Sequence, residues 1–325
     1  MRILTSPMRT FAVALLALLV FPPPGNAQLD STNKLTFVVG FAAGGVADTL
    51  ARLIAQGMSE RLSQTVIVEN HAGAGGNIAA ALVARATADG TTLLVTTTSL
   101  AINETLSKNK RFSSSDFKTI AIVASSPESL STNPSSVADN LPDFIKAMNG
   151  RPINFGSAGV GSSSHIATEY FLKFLAKAPA THIPFQGGAP AMNAMIGNQI
   201  DLLAGTLGGG FAAQIAAGKL KGLGIAADKR SASVPNVRTF AEQGFSGFTA
   251  TTWVGVFAPA KTDPAIAARL NAAINQIVND PNVQAKLAAI GFEPSVASLA
   301  EATTIFDQDV RKWGDMVRAL NLASN

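Results

Sequence analysis

The stretch VVGFAAGGVADTLAR, residues 38–52, runs from an apolar strand through a glycine-rich turn into a helix. Leu50, Leu53, Ile54 and Met58 recur at the spacing of one helix face, which predicts a helix from about residue 46 to residue 61. Further strand-like runs alternate with helix-like runs, near residues 65–68, 91–96, 118–124, 153–159, 181–185, 200–205, 220–227 and 250–259. This order predicts an α/β protein with mainly parallel sheets and flanking helices.

A change in composition divides the chain into two predicted lobes. The segment SSPESLSTNPSS, residues 125–136, is expected to cross into a second lobe, and the strand near 250–259 is expected to cross back. We therefore assign residues 28–130 and 250–325 to lobe 1 and residues 131–249 to lobe 2. A chain of 325 residues is long enough to give each lobe its own core. Such a fold places a ligand cleft between the lobes, where strand ends meet helix starts.

The first 27 residues have the pattern of a secretory signal peptide. Arg2 and Arg9 precede an apolar run at residues 11–21, and the small residues Gly25 and Ala27 follow it. The run is too short to span a membrane, so we expect cleavage after residue 27 and export. The chain has no cysteine, which excludes disulfides and a lipid anchor on an N-terminal cysteine and fits the bacterial periplasm. The weak positive charge and the lack of basic runs predict no nucleic-acid partner.

The glycine-rich turn does not match the nucleotide-binding patterns. Its glycines stand at 40, 44 and 45, which breaks the dinucleotide motif, and Val46 occupies the place of the phosphate-loop lysine. Backbone N–H groups at a helix start attract an anion without any charged side chain. The turn is therefore either an anion-binding loop or a tight strand–helix turn in which Asp48 caps the helix.

A second loop of the same kind favours anion binding. NFGSAGVGSSSH, residues 154–165, also follows a strand and opens a helix, and it carries three glycines and four serines. If both loops face one cleft, two helix starts form a site for a small anion. A third segment, HAGAGGN at residues 71–77, is predicted to serve close packing between a strand and a helix. The strand end at Thr98 and Ser99 and the turn at Gln186 and Gly187 are further candidates for the cleft.

An exported serine hydrolase is the alternative function. Ser162 and Ser163 stand beside His165, and Asp201 lies downstream. However, the nucleophile motif G-x-S-x-G is absent from this loop, and a serine two or three residues before a histidine is poorly placed for proton transfer. The three histidines show no metal-ligand spacing. We therefore predict a binding protein with no catalytic residues, no metal and no cofactor.

Several segments resemble the Bug-type solute-binding proteins, the extracytoplasmic receptors of tripartite tricarboxylate transporters. The resemblance spans roughly residues 34–320, and its most specific parts are ENHAGAGGN at 69–77 and GSAGVGSSSH at 156–165. It implies a type II-like periplasmic binding-protein fold with two lobes that close on a small carboxylated solute. It also implies membrane transporter subunits as partners. We expect the receptor to act as a monomer.

In this family, strand-to-helix loops hold one ligand carboxylate. Carried over to this chain, the ligand-binding residues are Phe41, Ala42, Ala43, Gly44, Gly45 and Asp48 in the first loop, and Ser157, Ala158, Gly159, Gly161, Ser162, Ser163 and His165 in the second. Thr98, Ser99, Gln186 and Gly187 complete the predicted set. The chain departs from the family pattern at Phe185, often a tyrosine, and near Thr206, often an aspartate or asparagine. The identity of the bound acid therefore stays open.

Overall fold

The structure is a computed structural model that describes residues 34–62 and 64–322. The predicted signal peptide, residues 1–27, lies outside the described residues. The chain begins with three parallel strands and the helices that follow them: β1 (Leu35–Val39), α1 (Val46–Leu62), β2 (Val66–Asn70), α2 (Asn77–Val83), β3 (Thr92–Thr97) and α3 (Ser99–Leu106). The apolar face of α1 packs on β1 and β3, as the spacing of Leu50 and Ile54 predicts.

Strand β4 (Phe117–Thr132) is much longer than the predicted strand at 118–124. It extends to residue 132 within the serine-rich segment 125–136, which was expected to cross into the second lobe. The segment is a strand because its hydroxyls find buried acceptors: Ser129 Oγ donates to Gly205 O at 2.8 Å, and Thr132 Oγ1 donates to Asp201 O at 3.0 Å. Residues 125–132 of this segment are therefore a continuation of the strand.

The second half of the chain repeats the alternation of strands and helices. It contains α4 (Leu141–Ala147), β5 (Ile153–Ser157), α5 (Ser163–Tyr170), β6 (Ala180–Pro184), α6 (Gly188–Ile196), β7 (Leu202–Thr206), α7 (Phe211–Ala216) and β8 (Lys221–Ile225). Helix α5 continues into a π-helical turn, Phe171–Leu175. The strand β9 (Thr251–Pro259) then returns to the first sheet beside β3 and β4.

The C-terminal part covers the first sheet with helices. It consists of α8 (Pro264–Val278), α9 (Pro281–Ala289), β10 (Glu293–Pro294) and α10 (Leu299–Leu320). Asp263 caps α8, since its Oδ1 accepts a hydrogen bond from Ala265 N at 2.7 Å. Helix α10 packs on α3, β4 and α5. Its buried Phe306 and Trp313 belong to an apolar cluster that also contains Phe155 and Ile166. The core is therefore continuous between the two halves of the molecule, one built around β1–β3 and the other around β5–β7.

The strand order is β2-β1-β3-β9-β4-β7-β5-β6, with β8 and β10 paired to β4. The outer pairs are parallel, but β9, β7, β8 and β10 all pair with β4 in antiparallel fashion. The sheet is therefore parallel on both flanks and antiparallel in the middle, because β4 leads from the first set of parallel strands to the second while β9 runs back. Within the described part of the chain, no helix has the length and apolar character needed to cross a membrane.

Candidate functional site

The strand register brings the carboxyl ends of two sets of strands to the middle of β4. Strand β3 runs in the same direction as β4, and its last residue, Thr97, pairs with Val254 of β9, which pairs with Ala124 of β4. Strand β7 runs the opposite way and ends at Thr206, opposite Glu128. The two sets of strand ends therefore converge on residues 124–128. A cleft at this position is where ligands bind in open α/β sheets.

The first glycine-rich loop is exposed at residues 42–45 and leads into α1. Gly44 adopts a φ of 79°, and its N–H donates to Asp48 Oδ2 at 2.8 Å. The N–H of Gly45 donates to Ala42 O at 3.2 Å. Two of the predicted donors are thus used inside the loop. The N–H groups of Val46 and Ala47 have no acceptor among the described residues, as expected at a helix start.

Asp48 is buried and holds this loop in shape. Its carboxylate accepts hydrogen bonds from Gly44 N, from Asn70 Nδ2 at 2.9 Å and from Arg52 Nε at 3.0 Å, and Arg52 also forms an ion pair with it. Burial raises the pKa of Asp48, but the hydrogen bonds from Arg52, Gly44 and Asn70 outweigh it, and the pKa is lowered. The cap-like role that the sequence left open is therefore present in the structure.

The second glycine-rich loop ends in a capped helix. Ser162 caps α5, since its Oγ accepts from His165 N at 3.2 Å and donates to Gly159 O at 2.7 Å. Gly159 and Gly161 adopt left-handed φ values of 120° and 80°. The N–H groups of Ser163 and Ser164 have no acceptor among the described residues. Both loops therefore present free N–H groups at a helix start, next to converging strand ends.

Two stacked imidazoles lie beneath the second loop. The ring centroids of His165 and His182 are 3.9 Å apart, and the Phe155 ring lies near both, 4.9 Å from His182 and 6.4 Å from His165. Gly161 N donates to His165 Nδ1 at 3.4 Å, and Ser157 Oγ lies 2.7 Å from His182 Nε2. Burial and the neighbouring His182 lower the pKa of His165 to about 3, and burial lowers the pKa of His182 to about 4. Both rings are therefore neutral near pH 7, and each has one ring nitrogen hydrogen-bonded, His165 to the second loop and His182 to the end of β5.

The comparison with known proteins identifies the family. A family model described as "Tripartite tricarboxylate transporter family receptor" matches residues 50–322. BugT of Bordetella pertussis is 32% identical over 306 residues, which cover 91% of each of the two chains. The chain belongs to this receptor family. The family is one of solute-binding receptors, so the protein is a binding protein and not an enzyme.

Solved structures similar to the receptor include two with a carboxylic acid bound. R. palustris Rpa4515 with adipate has a TM-score of 0.85 and 28% identity, covering 90% of the receptor and 98% of that chain. MatC from Rhodopseudomonas palustris with bound malate has a TM-score of 0.81 and 31% identity, covering 88% and 99%. Such neighbours are periplasmic binding proteins, which confirms the predicted fold class of two α/β lobes.

The serine–histidine geometry of the receptor does not support the hydrolase alternative. Ser163 Oγ is hydrogen-bonded to Thr252 Oγ1, and Ser162 Oγ is hydrogen-bonded to Gly159 O, so neither predicted nucleophile contacts the His165 ring. The serine that does contact an imidazole is Ser157, against His182. That pair was not predicted, and its imidazole is a weak base because of its lowered pKa.

The weaker candidates have different environments in the receptor. Thr98 is fully buried, and its Oγ1 accepts from Trp253 N at 3.0 Å, while Ser99 bonds to Thr97 at the start of α3. Gln186 is exposed, and Gly187, with a φ of 121°, precedes α6. Thr98 and Ser99 therefore brace the strand end, whereas Gln186 and Gly187 stay at the surface.

Sequence analysis missed residues that join the two halves around this cleft. A β-carbon added at Gly75 would lie 3.1 Å from Asn103 Nδ2 and 3.6 Å from Val160 O, so the third glycine-rich segment touches the second loop. It also packs closely against the end of β1, since an added β-carbon at Gly40 would lie 3.0 Å from Gly76 Cα. An added β-carbon at Gly209 would lie 2.6 Å from Val46 Cγ2, at the start of α1. The glycine content of these segments is the signal that the sequence carries. The residues that the glycines contact could not be predicted, because these contacts join positions far apart in the chain.

Proposed function

We propose that the receptor binds a small carboxylated organic solute in the cleft and holds one carboxylate at the starts of α1 and α5. The observation that carries this proposal is the pair of helix starts with free N–H groups, at Val46 and Ala47 and at Ser163 and Ser164, beside converging strand ends. The bound adipate and malate of the similar structures support a carboxylate as the ligand.

The energetics favour an acid over a neutral solute. Each helix start contributes roughly 0.3–1 kcal/mol towards a nearby negative charge, and each hydrogen bond to a charged acceptor contributes about 1.5–3 kcal/mol. Neither loop contains lysine or arginine, and Arg52, the nearest cation on α1, is paired with Asp48. Backbone groups and hydroxyls would therefore supply most of the attraction for the ligand carboxylate. We assign this role to residues 41–45, 157–159 and 161–163.

We propose further that the receptor is exported after removal of residues 1–27 and delivers its solute to membrane subunits of a tripartite tricarboxylate-type transporter. The family description supports this partnership. The lobe boundaries near residues 130 and 250 are part of the same proposal, and the continuous strands β4 and β9 would then be the two hinge segments. Function as a monomer remains a prediction.

A thermal-stability panel tests this proposal. Adipate, malate and other mono-, di- and tricarboxylic acids are compared with neutral alcohols of the same chain length. An acid at about 100 times its dissociation constant should stabilise the receptor by roughly 2.7 kcal/mol, and the solute should be recovered unchanged. Stabilisation by the alcohols as strong as by the acids, or consumption of the acid, would contradict the proposal.

A further inference from the structure

Glu128 lies where the two halves of the molecule meet. In β4, pairing with β9 ends at Pro127, which lies opposite Thr251. Pairing with β7 begins at the next residue, Glu128, which lies opposite Thr206. The strand ends described above converge on this point. The side chain is only 4% exposed, which is unusual for a glutamate.

One carboxyl oxygen of Glu128 connects three strands to the second loop. Oε1 accepts hydrogen bonds from Thr252 Oγ1 of β9 at 2.5 Å and from Thr206 Oγ1 of β7 at 3.2 Å. Thr252 Oγ1 is in turn hydrogen-bonded to Ser163 Oγ, in the first turn of α5. A chain of hydroxyls thus runs from the middle of the sheet to a residue of the proposed carboxylate site.

The other oxygen of Glu128, Oε2, is buried and has no hydrogen-bond partner among the described residues. No cation of the described chain pairs with the carboxyl group. The titratable residues on the elements packed around it bond elsewhere: His165 to Gly161, Glu169 beside His165, and Lys221 to Asp139. The adjoining cavity, about 10 Å³ and lined largely by Leu130, Ala167, Phe240 and Phe248, is too small for a hydrated ion.

These surroundings fit a carboxylic acid and not a carboxylate. In a neutral acid the carbonyl oxygen accepts hydrogen bonds, which matches the two donors on Oε1, and an unpartnered O–H at Oε2 costs less free energy than an unpartnered charged oxygen. An ionised carboxylate without a cation in this position would lose its hydration and receive only the two threonine donors in exchange. Burial accordingly raises the pKa of Glu128, although the hydroxyls of Ser163, Thr252 and Thr206 act in the opposite direction.

We propose that Glu128 is a neutral acid in the folded receptor and a positioning residue that fixes Ser163, and with it the start of α5, through Thr252. Its effect on the ligand rests on the proposed function, since Ser163 has to belong to the carboxylate site. The protonation state does not rest on it and can be measured on the protein alone.

The first experiment follows urea unfolding of the wild type and Glu128→Gln from about pH 4 to about pH 9. A group whose pKa is raised by folding stabilises the protein below its unfolded pKa, about 4.3 for glutamate, and loses that contribution as the pH rises to the folded pKa. The unfolding constant of the wild type should therefore rise relative to Glu128→Gln by up to about tenfold per pH unit in this window. Exposed Glu60→Gln, the control, should show no such divergence. Parallel profiles for wild type and Glu128→Gln would overturn the proposal.

The second experiment measures binding of adipate and malate by calorimetry. Glu128→Gln should bind as the wild type does near pH 5, because its amide oxygen can accept from both threonines, whereas Glu128→Leu should bind about tenfold more weakly. Thr252→Val removes the hydroxyl between Glu128 and Ser163 and keeps the shape of the side chain, so it should lose a similar factor in affinity. This variant provides the test if Glu128→Leu does not fold. Wild-type affinity in Thr252→Val and in folded Glu128→Leu would refute the positioning role. If no acid binds the wild type, the proposed function fails, while the unfolding profiles still decide the state of Glu128.

Discussion

Asp48 shows how a loop without basic residues is kept rigid. Its carboxylate bonds to Gly44, Asn70 and Arg52, and it is nearly inaccessible to solvent. Two of these partners belong to the first loop and its helix, and the third ends β2. The free N–H groups of Val46 and Ala47 are thus held in place by one buried side chain.

Replacing Asp48 should therefore cost stability. We expect Asp48→Ala to lower the free energy of unfolding by about 1–3 kcal/mol, because the donors of Gly44 and Asn70 lose their acceptor. Asp48→Asn should cost less, since an amide oxygen still accepts and asparagine is equally suited to a helix start. Urea unfolding measures both. A fully stable Asp48→Ala would show that these hydrogen bonds contribute nothing net.

Gly161 and Gly44 form a matched pair for testing contact between the halves. Both have a φ near 80°, but an added β-carbon at Gly44 meets nothing within 4 Å, whereas at Gly161 it lies 2.9 Å from Leu106 Cδ2 and 3.0 Å from Asn103 Oδ1. Each alanine variant should lose about 1–2 kcal/mol of stability from backbone strain. Gly161→Ala should weaken acid binding more than Gly44→Ala does, because its added methyl group also pushes α3 away. Equal binding by the two variants, measured by calorimetry, would contradict this.

At the scale of elements, the start of α5 depends on the protonation of the stack beneath it. Folding lowers the pKa of His165 to about 3 and of His182 to about 4. In the unfolded chain both histidines have pKa values near 6.5. Between these folded and unfolded pKa values the unfolded chain therefore binds more protons than the folded protein does. Stability should be complete above about pH 6.5 and fall as the pH is lowered, by up to about 1.4 kcal/mol per pH unit for each ring.

Urea unfolding between about pH 7 and about pH 4.5 measures this effect. The difference in stability between wild type and the double variant His165→Gln, His182→Gln should shrink as the pH falls. His71→Gln serves as the control, because His71 is more exposed and pairs with Glu69 outside the stack. A constant difference across this range would show that the two rings do not titrate as described.

The same elements show what sequence can and cannot predict here. Strand–helix alternation and the start of α1 follow from local patterns, and the structure has both. The length of β4 could not be predicted, because its serines and threonines are typical of loops until Gly205 and Asp201 accept their hydroxyls. Glycine-rich loops signalled the candidate site, but Glu128, Asn103 and the stacked histidines depend on partners far apart in the chain.

At the scale of the whole molecule, the halves also meet at the loop before α7. An added β-carbon at Gly208 would lie 2.1 Å from the Phe292 ring, and Ser126 Oγ accepts from Gly208 N at 2.9 Å while donating to Gly291 O at 2.7 Å. This contact leaves no room for a side chain. The two halves can approach each other this closely here only because Gly208 has no side chain.

Gly208→Ala should hold the two halves further apart. We expect a larger radius of gyration by small-angle X-ray scattering and weaker acid binding, because the added methyl group cannot share the space of the Phe292 ring. The double variant Gly208→Ala, Phe292→Ala removes the clash and should return the radius of gyration towards that of the wild type. Unchanged scattering and binding in Gly208→Ala would mean that this contact does not limit closure.

The most direct test of the account compares one acid with its methyl ester by calorimetry. The acid that stabilises the receptor most in the thermal panel is used, together with esters of each of its carboxyl groups in turn. If free N–H groups at the starts of α1 and α5 hold a carboxylate, esterifying the held end removes charge-assisted hydrogen bonds worth about 1.5–3 kcal/mol each. Affinity should then fall by at least about tenfold for one ester. Equal affinity for the acid and all its esters would contradict the account.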